Sequence, residues 1–224
     1  MSARSGVLFD VDGTLVDTTY IHTICWAQAL AEAGFHPPMA RVHRAVGMGA
    51  DLLVGHVLGA DLDPSVVQSI TDGHDGRFEQ WYDDVVPLPG ARSLLAHCAG
   101  RGMAVVLASS SSAKDLDAMR RALGADAFVT AATSSQDAEQ SKPSPDILAA
   151  AIDQAGLDPD RTVAVGDSVW DAEAASSIGV EFVGVESGGY SRAELQDAGA
   201  VHVGADPLAL LAAFARTPLA RLVG

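Results

Sequence analysis

Lysine is nearly absent from this chain of 224 residues: only Lys114 and Lys142 occur. With 14 Lys and Arg against 29 Asp and Glu, the formal net charge is -15. A surface so short of positive charge repels phosphate backbones and anionic lipid, which argues against nucleic acid and membranes as partners. It repels anionic small molecules too, so a site for one needs a local cation, and the position of each lysine becomes informative. Cysteine is equally scarce. Cys25 and Cys98 sit in apolar, helix-like stretches with no CxxC or Cys/His zinc spacing, so both are expected to be reduced core residues. No apolar run approaches the ~20 residues of a membrane helix. The start of the chain shows no signal-peptide pattern, and a cytoplasmic protein is expected. Repeats and low-complexity segments are also missing.

Apolar residues make up 48% of the chain, enough to bury a sizeable core. Short apolar runs alternate with longer helical patterns. Gly6–Phe9 reads as a buried strand ending at Asp10, Met103–Ala108 as a second ending at Ser109, and Ala127–Thr130 as a weaker third. Thr162–Gly166, ending at Asp167, is a fourth, and Glu181–Val185 and Ala200–Val203 complete the set. Near-continuous apolar strands separated by helices predict a parallel sheet covered on both faces. One helix start is explicit: Ser144 as N-cap, Pro145 at the first helical position, Asp146 in the first turn, with Gly156 at the stop.

The stretch from about residue 18 to 87 breaks the rhythm. It carries helical stripes (Ile21, Ile24, Cys25 and Ala31; Val66, Val67 and Ile70) and no strand signal, until Pro87-Leu88-Pro89-Gly90 restores the alternation. This reads as a helical insertion after the first strand.

Four polar sites lie at or near predicted strand ends, the edge where open parallel sheets bind ligands. In Asp10-Val11-Asp12-Gly13-Thr14, two carboxylates two residues apart project to one side of an extended segment and suit a hard cation. Gly13 permits the bend by which the chain leaves the sheet. An Asp-Gly turn with solvated carboxylates is the plain alternative. Ser109–Ser112 precedes a helix, where hydroxyls and free N–H groups cradle anions, although simple N-capping explains the same serines. Lys142, before a rigid Pro-Ser-Pro segment, could neutralise a phosphate or simply face water. In Gly166-Asp167-Ser168-Val169-Trp170-Asp171 the i, i+4 spacing lets Asp167 and Asp171 face one point; capping and a solvated first-turn charge are the alternatives.

Taken in order, acidic pair, hydroxyl, lysine and acidic pair resemble the four motifs of the haloacid dehalogenase superfamily, over essentially the whole chain. The resemblance implies an α/β fold: a Rossmann-like doubly wound parallel sheet core (residues 1–16 and 88–224) with an inserted α-helical cap (17–87). It implies a phosphatase that hydrolyses a small phosphorylated metabolite, a sugar phosphate, polyol phosphate or phosphoglycolate, through an aspartyl-phosphate on Asp10. Asp12 would be general acid and then base. Magnesium would be held by the Asp10 carboxylate, the Asp12 backbone carbonyl and Asp167, with Asp171 direct or through water. Ser109, the N–H groups near Ser110, and Lys142 would bind the phosphate.

Within the family, Asp12 argues against a dehalogenase, and the absence of lysine from residues 15 to 88 removes the Schiff-base chemistry of its phosphonate hydrolases. A mutase resembling beta-phosphoglucomutase is the nearer rival, because His22 sits at the place of that enzyme's histidine. The loop Gly47-Met48-Gly49-Ala50-Asp51 lacks its arginine, with Arg41, Arg44 and Arg77 as possible substitutes. A non-catalytic phosphometabolite-binding module is a third reading. Met48 and Gly49 resemble the cap's specificity loop, and His74 and Arg77 are further candidates for substrate contact. Against these stand a packed histidine, a core methionine and a solvated helix face. A monomer is expected, since no long apolar surface stripe stands out.

Overall fold

The computed structural model describes residues 4–59, 62–138, 140 and 142–223. Ser141, which precedes the lysine, and the two ends of the expected core lie outside the described residues. Six strands form one parallel sheet: β1 (Arg4–Phe9), β2 (Ala104–Ala108), β3 (Ala131–Thr133), β4 (Leu157–Gly166), β5 (Glu181–Val185) and β6 (His202–Gly204), in the order β3-β2-β1-β4-β5-β6. The order reverses between β1 and β4, which opens a crevice beyond their carboxyl ends.

Alternate side chains of each strand feed two apolar layers. Val7, Phe9, Val105, Leu107, Val163 and Val165 pack beneath α5 (Ala91–Gly100) and α6 (Ala113–Leu123). Leu8, Val106, Ala164 and Phe182 pack on the other side with α7 (Asp146–Ala155), α8 (Val169–Ser177) and α9 (Arg192–Asp197). The central strands are buried on both faces, which is why they read as unbroken apolar runs. A last helix, α10 (Pro207–Ala212), follows β6. Between β1 and β2 the described chain has no strand of the sheet. Four helices, α1 (Thr19–Glu32), α2 (Met39–Ala45), α3 (Ala50–Leu58) and α4 (Pro64–Phe78), enclose a separate apolar cluster around Trp26, Leu30, Val42, Leu53 and Ile70. Among the described residues no helix is long and apolar enough to cross a membrane.

Some local expectations need correction. The third strand is not Ala127–Thr130: Asp126–Phe128 forms a helical turn, and pairing with β2 begins at Ala131. Phe128 and Val129 are apolar because they pack against the core from outside the sheet. The last strand starts two residues late, because the Ala200 N–H closes α9 onto Leu195 O and Val201 points to solvent. Pro145, not Ser144, is the N-cap of α7; the Ser144 hydroxyl is spent on the Asp146 carboxylate at 2.6 Å. On α1 the buried face is Cys25, Trp26, Ala29 and Leu30 together with His22, while Ile24 is exposed. A helix packed against both α2 and α4 buries whatever faces either, so simple hydropathy misplaces its stripe. Gly156 ends α7 in the left-handed region (φ 61), as expected.

Gly13 makes the turn out of β1 at φ 72. A Cβ there would lie 2.1 Å from Thr19 Oγ1 and 2.6 Å from Asp167 Oδ2. Gly13→Ala therefore combines a left-handed backbone penalty with overpacking, a cost of about 2–5 kcal/mol. Urea unfolding measures it; a loss below about 1 kcal/mol would show that the loop relaxes freely.

Candidate active site

The reversal in strand order places Asp10 and Asp167 side by side. Asp10 extends β1 by one step, its N–H donating to Val165 O at 2.9 Å, and Asp167 directly follows β4. Asp171 joins them from the first turn of α8. There Ser168 caps the helix and Asp171 Oδ2 accepts the Ser168 hydroxyl at 2.6 Å and its N–H at 3.2 Å. This reciprocal capping fixes the side chain, so Asp171 is neither solvated nor free to turn away. One oxygen each of Asp10, Asp167 and Asp171 lies within 4.8 Å of the others.

Lys142 is buried among these carboxylates. Its Nζ donates to Asp10 Oδ1 at 2.6 Å, approaches Asp171 Oδ1 at 2.7 Å and reaches Ala108 O at 3.3 Å. Burial by itself would push the ammonium pKa down, but Asp10 and Asp171 hold it above the ordinary lysine range. One ammonium does not neutralise three carboxylates. Burial, opposed by Lys142 and reinforced by Asp171 and Asp12, leaves the Asp10 carboxyl raised to about 7. Burial and the neighbouring Asp10 and Asp171 push Asp167 well above its usual value. Closely set, partly unneutralised carboxylate oxygens are a donor set that fits a hard divalent cation. The surroundings hold that set in place: Thr14 donates to Asp167 Oδ1 at 3.0 Å, and a Cβ on Gly188 would sit 1.5 Å from Asp167 Oδ2. Gly188 is a part of the site that the sequence gives no means of finding, since it lies after the next strand.

The Asp12 carboxylate points elsewhere. It accepts from Thr18 Oγ1 (2.6 Å) and Ser111 Oγ (2.8 Å), lies 3.4 Å from Ser109 Oγ, and meets His22 Nε2 at 2.9 Å. Burial raises its pKa, but the His22 charge and the hydrogen bonds from His22, Thr18 and Ser111 outweigh burial and hold it at about 2. With its carboxylate so engaged, Asp12 can reach a metal only through its backbone carbonyl. Ser109 Oγ also accepts the Ser111 N–H at 3.1 Å. The Ser110 hydroxyl lines the pocket and is buried without a partner, so it is available to a ligand oxygen. N-capping of α6 falls to Ser112 alone.

His22 begins a chain that runs into the helical insertion. Its Nδ1 meets His74 Nε2 at 3.0 Å, and His74 Nδ1 meets Asp75 Oδ1 at 2.8 Å. Three hydrogen bonds thus join Asp12, His22, His74 and Asp75, and each needs one proton. Two neutral imidazoles carry two protons, so with both carboxylates ionised the chain holds a third. Burial presses His74 towards its neutral form. His74 is buried and stacked on Trp26, not on a solvated helix face.

These groups border a cavity of about 450 Å³ lined also by Trp26, Met48, Leu53 and Asp115. Met48 faces the cavity. Gly49 instead caps α3, and its neighbours Gly47 and Ala50 form the wall. Arg77 does not reach the cavity: it pairs with Glu32 and donates to Gly73 O, because its position on α4 faces α1. Arg41 and Arg44 are likewise committed elsewhere, to His56 O and to Glu194. Residues that motif reasoning passed over are Thr18, Ser111, Trp26, Asp75 and Gly188; only Ser111, within the serine run, and Asp75, beside His74, had any signal.

Removing the ammonium leaves buried, mutually repelling carboxylates. Lys142→Ala is expected to destabilise the metal-free protein by about 3–5 kcal/mol, measured by urea unfolding in EDTA. A change within about 0.5 kcal/mol would mean that Lys142 does not neutralise the cluster.

Comparison with known proteins accords with this geometry. Residues 5–179 match the family model described as haloacid dehalogenase-like hydrolase. The chain is 32% identical over 213 residues to a phosphoglycolate phosphatase of Rhodospirillum rubrum, covering 88% of this chain and 85% of that one. It is 30% identical to an N-acetylmuramic acid 6-phosphate phosphatase of Pseudomonas aeruginosa, with 81% of each covered. The crystal structure of a hydrolase from Pseudomonas syringae superposes with a TM-score of 0.90 at 30% identity, covering 95% of this chain and 99% of that one. With its six-stranded parallel sheet and its acidic residues at the reversal of strand order, the chain belongs to the haloacid dehalogenase-like hydrolase family.

Proposed function

We propose that this phosphatase hydrolyses a small phosphorylated metabolite by way of an aspartyl-phosphate on Asp10, with magnesium as cofactor. The observation that carries the reading is the pairing of Asp10 with Lys142 at 2.6 Å beside Asp167 and Asp171, with the hydrogen-bonded Asp12–His22 pair bordering the same cavity as Asp10. The names of the phosphatases at 30 and 32% identity support the substrate class. Residues 17–87 serve as the cap over a core of residues 1–16 and 88–224, and His22, Met48 and His74 are among its contributions to the cavity.

Asp10 supplies the nucleophilic oxygen. Its bond to phosphorus forms as the ester P–O bond breaks, and Asp12 gives the leaving alkoxide a proton. A carboxyl at about 2 in the free protein is a weak store for that proton. An arriving phosphate dianion raises the proton affinity of a carboxylate beside it, and His22 Nε2, 2.9 Å from Asp12 Oδ1, is the hydrogen-bond partner through which a proton can reach it. In the second step the Asp12 carboxylate takes a proton from water attacking phosphorus, and inorganic phosphate and free Asp10 are regenerated. Ser109, the Ser110 hydroxyl and N–H, and Lys142 bind the phosphoryl oxygens. Magnesium would be held by the Asp10 carboxylate, the Asp12 carbonyl and Asp167, with Asp171 direct or through water, and would supply the positive charge that lets an anionic nucleophile meet an anionic ester.

A mutase must grip a second phosphate, and among the described residues no Lys or Arg of α1–α4 lines the cavity. That absence favours hydrolysis. A binding module is disfavoured by the intact set Asp10, Asp12, Ser109, Lys142 and Asp167.

Turnover of p-nitrophenyl phosphate is expected with magnesium, with loss in EDTA and in Asp10→Asn. Lys142→Ala should lose at least ~100-fold in rate. Hydrolysis that survives both EDTA and Asp10→Asn would overturn the mechanism. Conversion of glucose 1-phosphate in the presence of the 1,6-bisphosphate, without phosphate release, would establish the mutase.

A further inference from the structure

We infer that, in contrast to the relatives named for phosphoglycolate and N-acetylmuramic acid 6-phosphate, both of them phosphorylated carboxylic acids, the alcohol portion of this chain's substrate carries no second anionic group: this site selects monophosphates of neutral or amine-bearing alcohols over phosphorylated carboxylic acids. The inference rests on the phosphatase reading above and concerns the part of the cavity that lies beyond the phosphate.

Charge makes the case. Four carboxylates, Asp10, Asp12, Asp75 and Asp115, line the cavity. Lys142 is held beneath Asp10 and serves the phosphate. Among the described residues no Lys or Arg lines the cavity, and none of the residues outside the description is a Lys or Arg. The cations of neighbouring elements are already paired: Arg44 with Glu194, Arg77 with Glu32, and Lys114 with Glu79. A carboxylate on the leaving group would therefore meet no Lys or Arg, and the two imidazoles on the wall, His22 and His74, are already engaged with Asp12 and Asp75.

It would also meet like charge. Asp75 is half-exposed at the cavity wall and uses Oδ1 to hold His74. Asp115 is buried and accepts from the Tyr82 and Ser112 hydroxyls. A second anion within about 5 Å of such a carboxylate is disfavoured by roughly fourfold to 300-fold, depending on how much water remains. An ammonium or hydroxyl there has acceptors waiting. The rest of the wall, Trp26, Val46, Met48 and Leu53, offers apolar surface to the carbon skeleton. Discrimination arises here as much from the absent cation as from any contact made.

The test uses two-carbon phosphates of nearly equal size as competitors of p-nitrophenyl phosphate hydrolysis with magnesium. They are 2-hydroxyethyl phosphate (neutral), O-phosphoethanolamine (cationic) and 2-phosphoglycolate (anionic). A six-carbon pair, sorbitol 6-phosphate and 6-phosphogluconate, repeats the comparison at larger size. Competition gives an apparent constant for each compound whether or not it turns over. The anionic member of each set is expected to be weaker by about tenfold or more. Thr71→Lys, one helical turn before Asp75 on the cavity wall, adds the missing cation and should narrow that gap at least threefold. Asp75→Asn is the second variant should Thr71→Lys fail to fold. Equal or tighter competition by 2-phosphoglycolate and 6-phosphogluconate would overturn the inference while leaving the phosphatase intact. Failure to hydrolyse p-nitrophenyl phosphate at all would overturn the phosphatase reading, and this inference with it.

Discussion

The structure turns on one electrostatic problem: three carboxylates, Asp10, Asp167 and Asp171, crowd within 4.8 Å of one another in a buried place with a single ammonium among them. Left alone, such a cluster is unfavourable, and the raised pKa values of Asp10 and Asp167 record the cost. A fold keeps such an arrangement when something outside the chain completes it. In the proposed mechanism a divalent cation would do so on one side, and the phosphorus of a substrate would meet Asp10 on the other.

The fold generates the cluster by topology and holds it by packing. Reversal of strand order between β1 and β4 puts two strand ends next to each other and leaves their following residues without neighbours on the crevice side. Helix capping then fixes Asp171, and small residues do the rest. A Cβ on Gly166 would come within 2.5 Å of the Asp171 carboxyl, and one on Gly188 within 1.5 Å of that of Asp167. The helical insertion adds a second system that meets the first at Asp12. Trp26 and Phe78 stack on the two histidines, which fixes their ring planes, and the imidazoles then carry a line of hydrogen bonds from Asp75 to the site.

Most of the core could be read in the sequence because each feature there had a local cause. Strands buried on two faces are unbroken apolar runs, so β1, β2, β4 and β5 emerge from the pattern; the polar residues at their ends each had a plain alternative, and only their order together made them resemble the family's four motifs. The edge strands β3 and β6 were misplaced by a few residues, since Phe128 and Val129 are apolar for packing outside the sheet. In the insertion the local signals fail for a physical reason. Contacts such as His22 with His74, or Trp26 with His74, join residues about fifty positions apart on different helices, and which face of α1 is buried depends on where α4 lies. His74, set down as a solvated face in one reading, is buried, while Arg77 three positions later turns away to Glu32.

The central claim is that the acidic cluster is unstable until a cation joins it. Thermal unfolding of Asp167→Asn against the unaltered protein, each in EDTA and in magnesium, tests it directly. Asparagine keeps the acceptor for Thr14 and removes one buried charge. The account predicts a higher midpoint than the unaltered protein in EDTA, by about 2–8 °C, and little further rise with magnesium. A lower midpoint in EDTA, with the magnesium-dependent rise undiminished, would contradict it.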